Sequence, residues 1–152
     1  LSLVGSEMCI RDRYFDEALG METDNAKKSE MAYATAAALW QAKKLSQART
    51  YAQKAISFNE NYGEPYILLA QMYGSNPNWS DEPALNRCTY YVVIDKLQRA
   101  KAVDPSVTDK VNELIATYAR HTPQAKDLFM LGYKAGDRIT IGGWIGESTT
   151  IR

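Results

Sequence analysis

Large apolar residues recur along this chain at three- and four-residue spacing, with small residues between them. Tyr66, Leu69 and Tyr73 stand at i, i+3 and i+7, with Ala70 at i+4. On a helix these four share one side: the large side chains form a stripe, and the alanine leaves room for a partner helix. Ala48, Ala52 and Ala55 make a small-residue face in the segment before. The run from Leu97 through Ala100 and Val103 repeats the end of that segment and closes on Asp104-Pro105. Pro105 disfavours helical backbone at Asp104, so a helix should stop there. Val111, Leu114, Ile115 and Tyr118 then resume the stripe. The pattern predicts helices over about 25–43, 46–59, 64–73, 83–103 and 106–121. Thr122 should cap a short helix opened by Pro123 and running to about Leu131, with Gly132 and Gly136 as stop signals.

The stretch from Gly74 to Pro83, GSNPNWSDEP, is rich in turn formers and reads as an exposed insertion loop whose only large apolar residue is Trp79. Tyr66, Tyr73 and Tyr118 fall on core positions. Tyr90 and Tyr91 are neighbours, so one helix face cannot bury both. One should pack while the other covers the 74–83 loop.

After Asp137 the period changes from helical to alternating. Arg138–Ile141 and Ser148–Arg152 are β-branched and flank the glycine-rich GGWIGE. They predict a β-hairpin over 137–152, turning near Ile145–Glu147 or at Gly142-Gly143. A lone hairpin is marginal in water, so it should lean on the helices through Trp144, Ile139 and Ile141. As a cap it would cover apolar surface from Ile115, Tyr118, Leu128 and Leu131. Alternatively, it would offer a strand to a partner by edge pairing.

Tyr66-x-x-Leu69-Ala70-x-x-Tyr73 resembles the first-helix signature of a tetratricopeptide repeat, W-x2-L-G-x2-Y, and the alanine faces resemble its second helix. With a unit of about 34 residues, repeats begin near Ser29, Gly63 and Thr108, the second lengthened by about 11 residues at the 74–83 loop. Tyr14–Leu19, YFDEAL, resembles the end of an earlier unit's second helix. The implied fold is mainly α, a tetratricopeptide-like α-solenoid of antiparallel helix pairs over 14–136 with a small C-terminal β-hairpin. Residues 83–152 are also similar to a group of tetratricopeptide proteins of Bacteroidetes-type bacteria. The likeness lies in YYVVIDKLQRAKAVDP, GYKAGD and ITIGGWI-x-ESTTIR. That resemblance implies an exported, often periplasmic, repeat protein. Leu1–Arg13, LSLVGSEMCIRDR, resembles a translated sequencing-adapter read-through, a segment that nothing requires to fold with the rest.

In such a fold the first helices line a concave face that binds peptides or protein surfaces. By register that face carries Glu30, Tyr33, Ala37 and Trp40, then Glu64, Ile67 and Gln71, then Asp109, Asn112 and Ala116. The expected groove is aromatic and acidic. A chaperone-type carboxylate clamp needs Lys, Asn and Arg on this face, and only Asn112 matches in type. The competing expectation is a purely structural C-terminal cap whose groove binds nothing.

Composition narrows the function classes further. Lys+Arg and Asp+Glu are both 18, giving no net charge to attract nucleic acid. No apolar run reaches the roughly 18 residues that a membrane span needs. Cys9 and Cys88 lie in no CxxC or Cys/His cluster, and the single histidine, His121, reads as a solvated helix end. No metal ligand set, phosphate loop or nucleophile elbow is present. Asp16-Glu17 and Asp81-Glu82 read as acids near helix starts. The expectation is a protein or peptide partner, no cofactor, no metal and no catalysis.

Overall fold

The computed structural model describes residue 13, residues 16–21 and residues 23–152. It is mainly helical, with a small two-stranded antiparallel sheet. The expectations for residues 1–12, and for Tyr14 and Phe15 in the YFDEAL segment, lie outside the described residues. The chain divides into two compact units, Leu1–Glu60 and Asn61–Arg152.

In the first unit Asp24 starts α1 (Asn25–Gln41) by accepting a hydrogen bond from the Ala26 N–H at 2.9 Å. α1 ends two residues before the expected boundary. Lys43 turns into the left-handed region at φ 61°, and the Lys44 N–H bonds back to the Leu39 carbonyl. α2 (Leu45–Phe58) returns antiparallel, because Ser29 early in α1 donates to the Ala55 carbonyl late in α2 at 2.6 Å. The interface is built from small residues: Ala32, Ala36, Ala48, Ala52 and Ala55 are all fully buried. Residues 16–21 are helical, with Leu19 buried and Asp16 accepting from Tyr51 at 2.6 Å.

In the second unit α3 (Glu64–Ser75) is largely apolar, and eight of its residues are buried. Such a helix belongs in an interior. Its partner is α5 (Thr89–Val103), again antiparallel: Gly63 before α3 donates its N–H to the Asp104 carboxylate after α5 at 2.9 Å. Asp104 also accepts from Ser106 and so caps the 3-10 turn Pro105–Val107 that leads into α6 (Thr108–Ala119). α6 runs antiparallel to α5, with Lys101 near Asn112 at one end and Tyr90 against Tyr118 at the other. It is an outer helix. Of its stripe only Val111 is buried, while Leu114, Ile115 and Tyr118 are half-covered.

Two expected elements differ. The helix over 83–103 is two, α4 (Pro83–Arg87) and α5, broken at Cys88. Trp79 Nε1 donates to the Leu85 carbonyl, and the Cys88 N–H reaches the same oxygen one turn position early, so the backbone tightens there. The 74–83 stretch is also not a free loop. Its first two residues continue α3. Beyond them Asn86 accepts from the Trp79 and Ser80 N–H groups, and Thr89 donates to the Pro77 carbonyl. Polar cross-links of this kind are invisible to a turn-residue count.

Thr122 does not cap the next helix. Its hydroxyl donates back to the Ala119 carbonyl, and α7 (Ala125–Met130) starts after Gln124 without a side-chain cap. Gly132, at φ 91°, closes α7 as expected, with the Tyr133 N–H on the Leu128 carbonyl. The hairpin pairs β1 (Arg138–Thr140) with β2 (Ser148–Thr150), Ile139 opposite Thr149. Its connection is neither expected tight turn but a broad loop over 141–147, bridged by the Ile141 N–H on the Glu147 carbonyl at 2.8 Å. Ile139, Ile141, Ile145 and Ile151 are buried, and Trp144 meets Tyr73 edge to face at 5.3 Å. The strands are therefore not a free edge segment. They fasten on α3 and α5 through Tyr73, Lys96 and Asp95, and of the four residues a cap was expected to cover Leu128 is buried, while Ile115 and Tyr118 are half-covered and Leu131 is exposed.

Candidate binding surfaces

α3 and α6 run side by side in one direction. At their starts Lys110 Nζ meets Glu64 Oε2 at 3.1 Å. At their ends a side chain on Gly74 would come within 2.6 Å of the Tyr118 ring. Gly74 is what lets the two helices approach there. On this face Glu64 and Gln71 are half-buried, and Asp109, Asn112 and Ala116 are exposed. Ile67 is not on it. It is 1% exposed, packed beneath the half-buried Glu64 and Gln71 that flank it along the helix. Of the five residues on this face in the second unit, Glu64 and Asp109 are acidic. Lys110 faces Glu64, Lys101 donates to Asn112 at 3.1 Å, and none of these five residues is aromatic. In the first unit Glu30 is exposed, and Tyr33, Ala37 and Trp40 are half-buried on α1.

A second surface escaped the sequence reading. α7 buries Leu128 but presents Phe129 at 75% exposure and Met130 at 84%. Beside them lies a groove of about 450 Å³, lined also by Lys126, Tyr133, Lys134, Ile151 and Arg152. The available signal was the run Leu128-Phe129-Met130-Leu131. A helix of six residues cannot turn consecutive apolar residues to one side, so some must face outward.

A third feature is built on the tyrosine pair, of which one member packs as expected. Tyr91 is buried at 5% exposure, and Tyr90 turns outward to stack on Tyr118 at 6.0 Å and to lie tilted against His121 at 5.2 Å. His121 is therefore exposed but not simply solvated. A cleft of about 380 Å³ lies between this stack and Pro77, Pro83, Asn86 and Arg87. Burial pushes the Tyr118 hydroxyl above its usual range, and the neighbouring Tyr90 adds to the shift. Burial also pushes the Cys88 thiol up to about 11, which leaves it a poor nucleophile.

Among the described residues no three potential metal-ligating side chains come together. No helix among them is long and apolar enough to cross a membrane. No protein-family model matches the chain, and no curated protein matches it.

Proposed function

We propose that this protein is an interaction scaffold of tetratricopeptide-like helix pairs that holds a protein or peptide partner and turns over no substrate. The observation that supports this reading is the parallel run of α3 and α6. Glu64 and Lys110 stand 46 residues apart, and Gly74 and Tyr118 meet at nearly the same separation. That separation is one repeat plus the insertion between α3 and α5. Repeated helix pairs whose first helices lie side by side form extended binding faces. On this reading Glu64, Gln71, Asp109, Asn112 and Ala116 carry partner contacts in the second unit, and Glu30, Tyr33, Ala37 and Trp40 in the first.

The test is affinity capture with the full chain from an extract of its source. Gln71→Arg with Asn112→Arg should abolish retention of the captured partner. Arg99→Glu, at an exposed position of α5, should not. Equal retention by all three chains would overturn the α3–α6 face as the site.

A second reading treats the chain as a structural end-piece with no ligand. It is favoured by the hairpin's attachment to α5. Lys96 pairs with Glu147 at 2.7 Å, and Asp95 accepts from Thr149 at 2.7 Å and from Arg152. On that reading nothing is captured above background.

A further inference from the structure

We propose that the groove beside α7 docks an acidic, apolar peptide segment, whose leucine or phenylalanine side chains enter the groove while flanking carboxylates reach Lys126 and Lys134. This rests on the scaffold reading but not on the α3–α6 face.

The floor is fixed. Leu128 and Ile151 are 1% and 3% exposed, and Ile151 is held by its N–H on the Asp137 carbonyl at 2.9 Å. The walls are not satisfied in the same way. Phe129 and Met130 lie in water, so a partner that covers them gains the burial that the fold itself does not supply. Contiguous exposed apolar residues rimmed by polar ones mark interaction sites. The volume falls within the range of roughly 300–1,000 Å³ typical of ligand clefts.

Charge selects the occupant. The charged side chains lining the groove are Lys126, Lys134 and Arg152, with no carboxylate. Neither lysine ammonium is paired with a carboxylate among the described residues. Asp137 spends a carboxylate oxygen on the Lys134 backbone N–H at 2.9 Å, and Asp95 is engaged by Thr149 and Arg152. A carboxylate brought to the rim therefore finds unpaired cations beside apolar surface. A second copy docking through the same groove would bring four unpaired lysines into one interface lined by no carboxylate side chain, a repulsive arrangement. Two unpaired lysines are too few to hold the chain on an anionic membrane surface, which takes a cluster of basic residues.

The experiment titrates the full chain into a fluorescein-labelled dodecapeptide with two leucines and a phenylalanine set among glutamates and aspartates. Two control peptides replace the acids by lysines or the apolar residues by serines. The acidic, apolar peptide should bind, and raising the salt should weaken it. Lys126→Glu with Lys134→Glu should weaken binding by roughly tenfold or more, and so should Phe129→Ser. All of these side chains are exposed, so the variants should keep the parental circular dichroism. Gln71→Arg with Asn112→Arg should leave peptide binding unchanged, which separates this site from the α3–α6 face. The proposal is overturned if the three peptides bind alike or not at all, or if the groove variants bind like the parent. A dimer that Phe129→Ser dissolves, or attachment to phosphatidylserine vesicles, in place of peptide binding would also overturn it.

Discussion

The edge of the Trp79 indole lies where a side chain on Gly142 would have to go: a Cβ there would stand 2.9 Å from Trp79 Cε3. The ring cannot swing aside easily, because its Nε1 donates to the Leu85 carbonyl at 3.1 Å. The insertion loop and the hairpin loop are therefore packed against each other. Gly142→Ala should destabilise the protein by roughly 1–3 kcal/mol, the usual cost of overpacking. In a Trp79→Leu background the same change should cost much less, and a double-mutant cycle by denaturant unfolding would show the coupling. Additive costs would mean that the indole does not occupy this place.

Lys43 holds at the end of α1 the backbone position that Gly132 holds at the end of α7. Both have positive φ, 61° and 91°. A residue with a Cβ is strained there by roughly 1–2 kcal/mol, whereas glycine is not. Glycine gives back part of the gain through its freer unfolded chain. Lys43→Gly should therefore stabilise the first unit by about 0.5–1 kcal/mol, read as a raised melting temperature. Lys43→Ala, which keeps the Cβ, should not.

Asp104 joins three things: the end of α5, the N–H of Gly63 and the turn into α6. The Ser106 hydroxyl, first, and the Gly63 N–H, second, hold its carboxyl below the usual carboxylate range. A carboxyl depressed by folding stabilises above its unfolded pKa of about 3.9, and that stability is lost as pH falls through the folded value. Asp104→Ala should cost about 0.5–2 kcal/mol at pH 7, the range for losing a capping side chain. The stability gap between parent and variant should narrow as pH drops through the carboxylate range. A gap that stays constant with pH would show that the charge is not what matters.

Periodicity located the helices well, because Ala48, Ala55, Leu69, Tyr73 and Ala100 follow local rules of spacing, and all are buried. The break at Cys88 was hidden because it comes from Trp79, nine residues away, capturing a carbonyl. Ile67 was misplaced onto a free face because register says which side of a helix a residue occupies, not how many sides the fold will cover. The apolar ledge on α7 was overlooked because a six-residue helix is too short for any period to show.

The small-residue interface of the first unit gives a direct test of register. Ala55 is fully buried, and its carbonyl accepts the Ser29 hydroxyl at 2.6 Å across the α1–α2 contact. Ala55→Leu would push these helices apart and should destabilise by roughly 1–3 kcal/mol. Ala38→Leu, at an exposed site on α1, should be neutral within about 0.5 kcal/mol. If the two variants melt alike, the interface is not where the alanines place it.

The hairpin's hold on the helices depends on Glu147. One of its carboxylate oxygens accepts the Tyr73 hydroxyl at 2.5 Å, and the other pairs with Lys96 at 2.7 Å. Both Lys96 and Glu147 side chains are 22% exposed, so solvent screens the pair only in part. Tyr73 is fully buried, and losing its acceptor would leave a hydroxyl in the core without that partner. Glu147→Ala should therefore cost more than an exposed ion pair, roughly 1–3 kcal/mol. Glu147→Gln, which still offers an oxygen to Tyr73, should cost less. The loss should also be local. Amide exchange at Ile141 and Ile151, whose N–H groups bond to Glu147 and Asp137 carbonyls, should accelerate well before that of α3. If these amides exchange as slowly in Glu147→Ala as in the parent, the apolar contacts of Ile139, Ile145 and Ile151 hold the hairpin on their own.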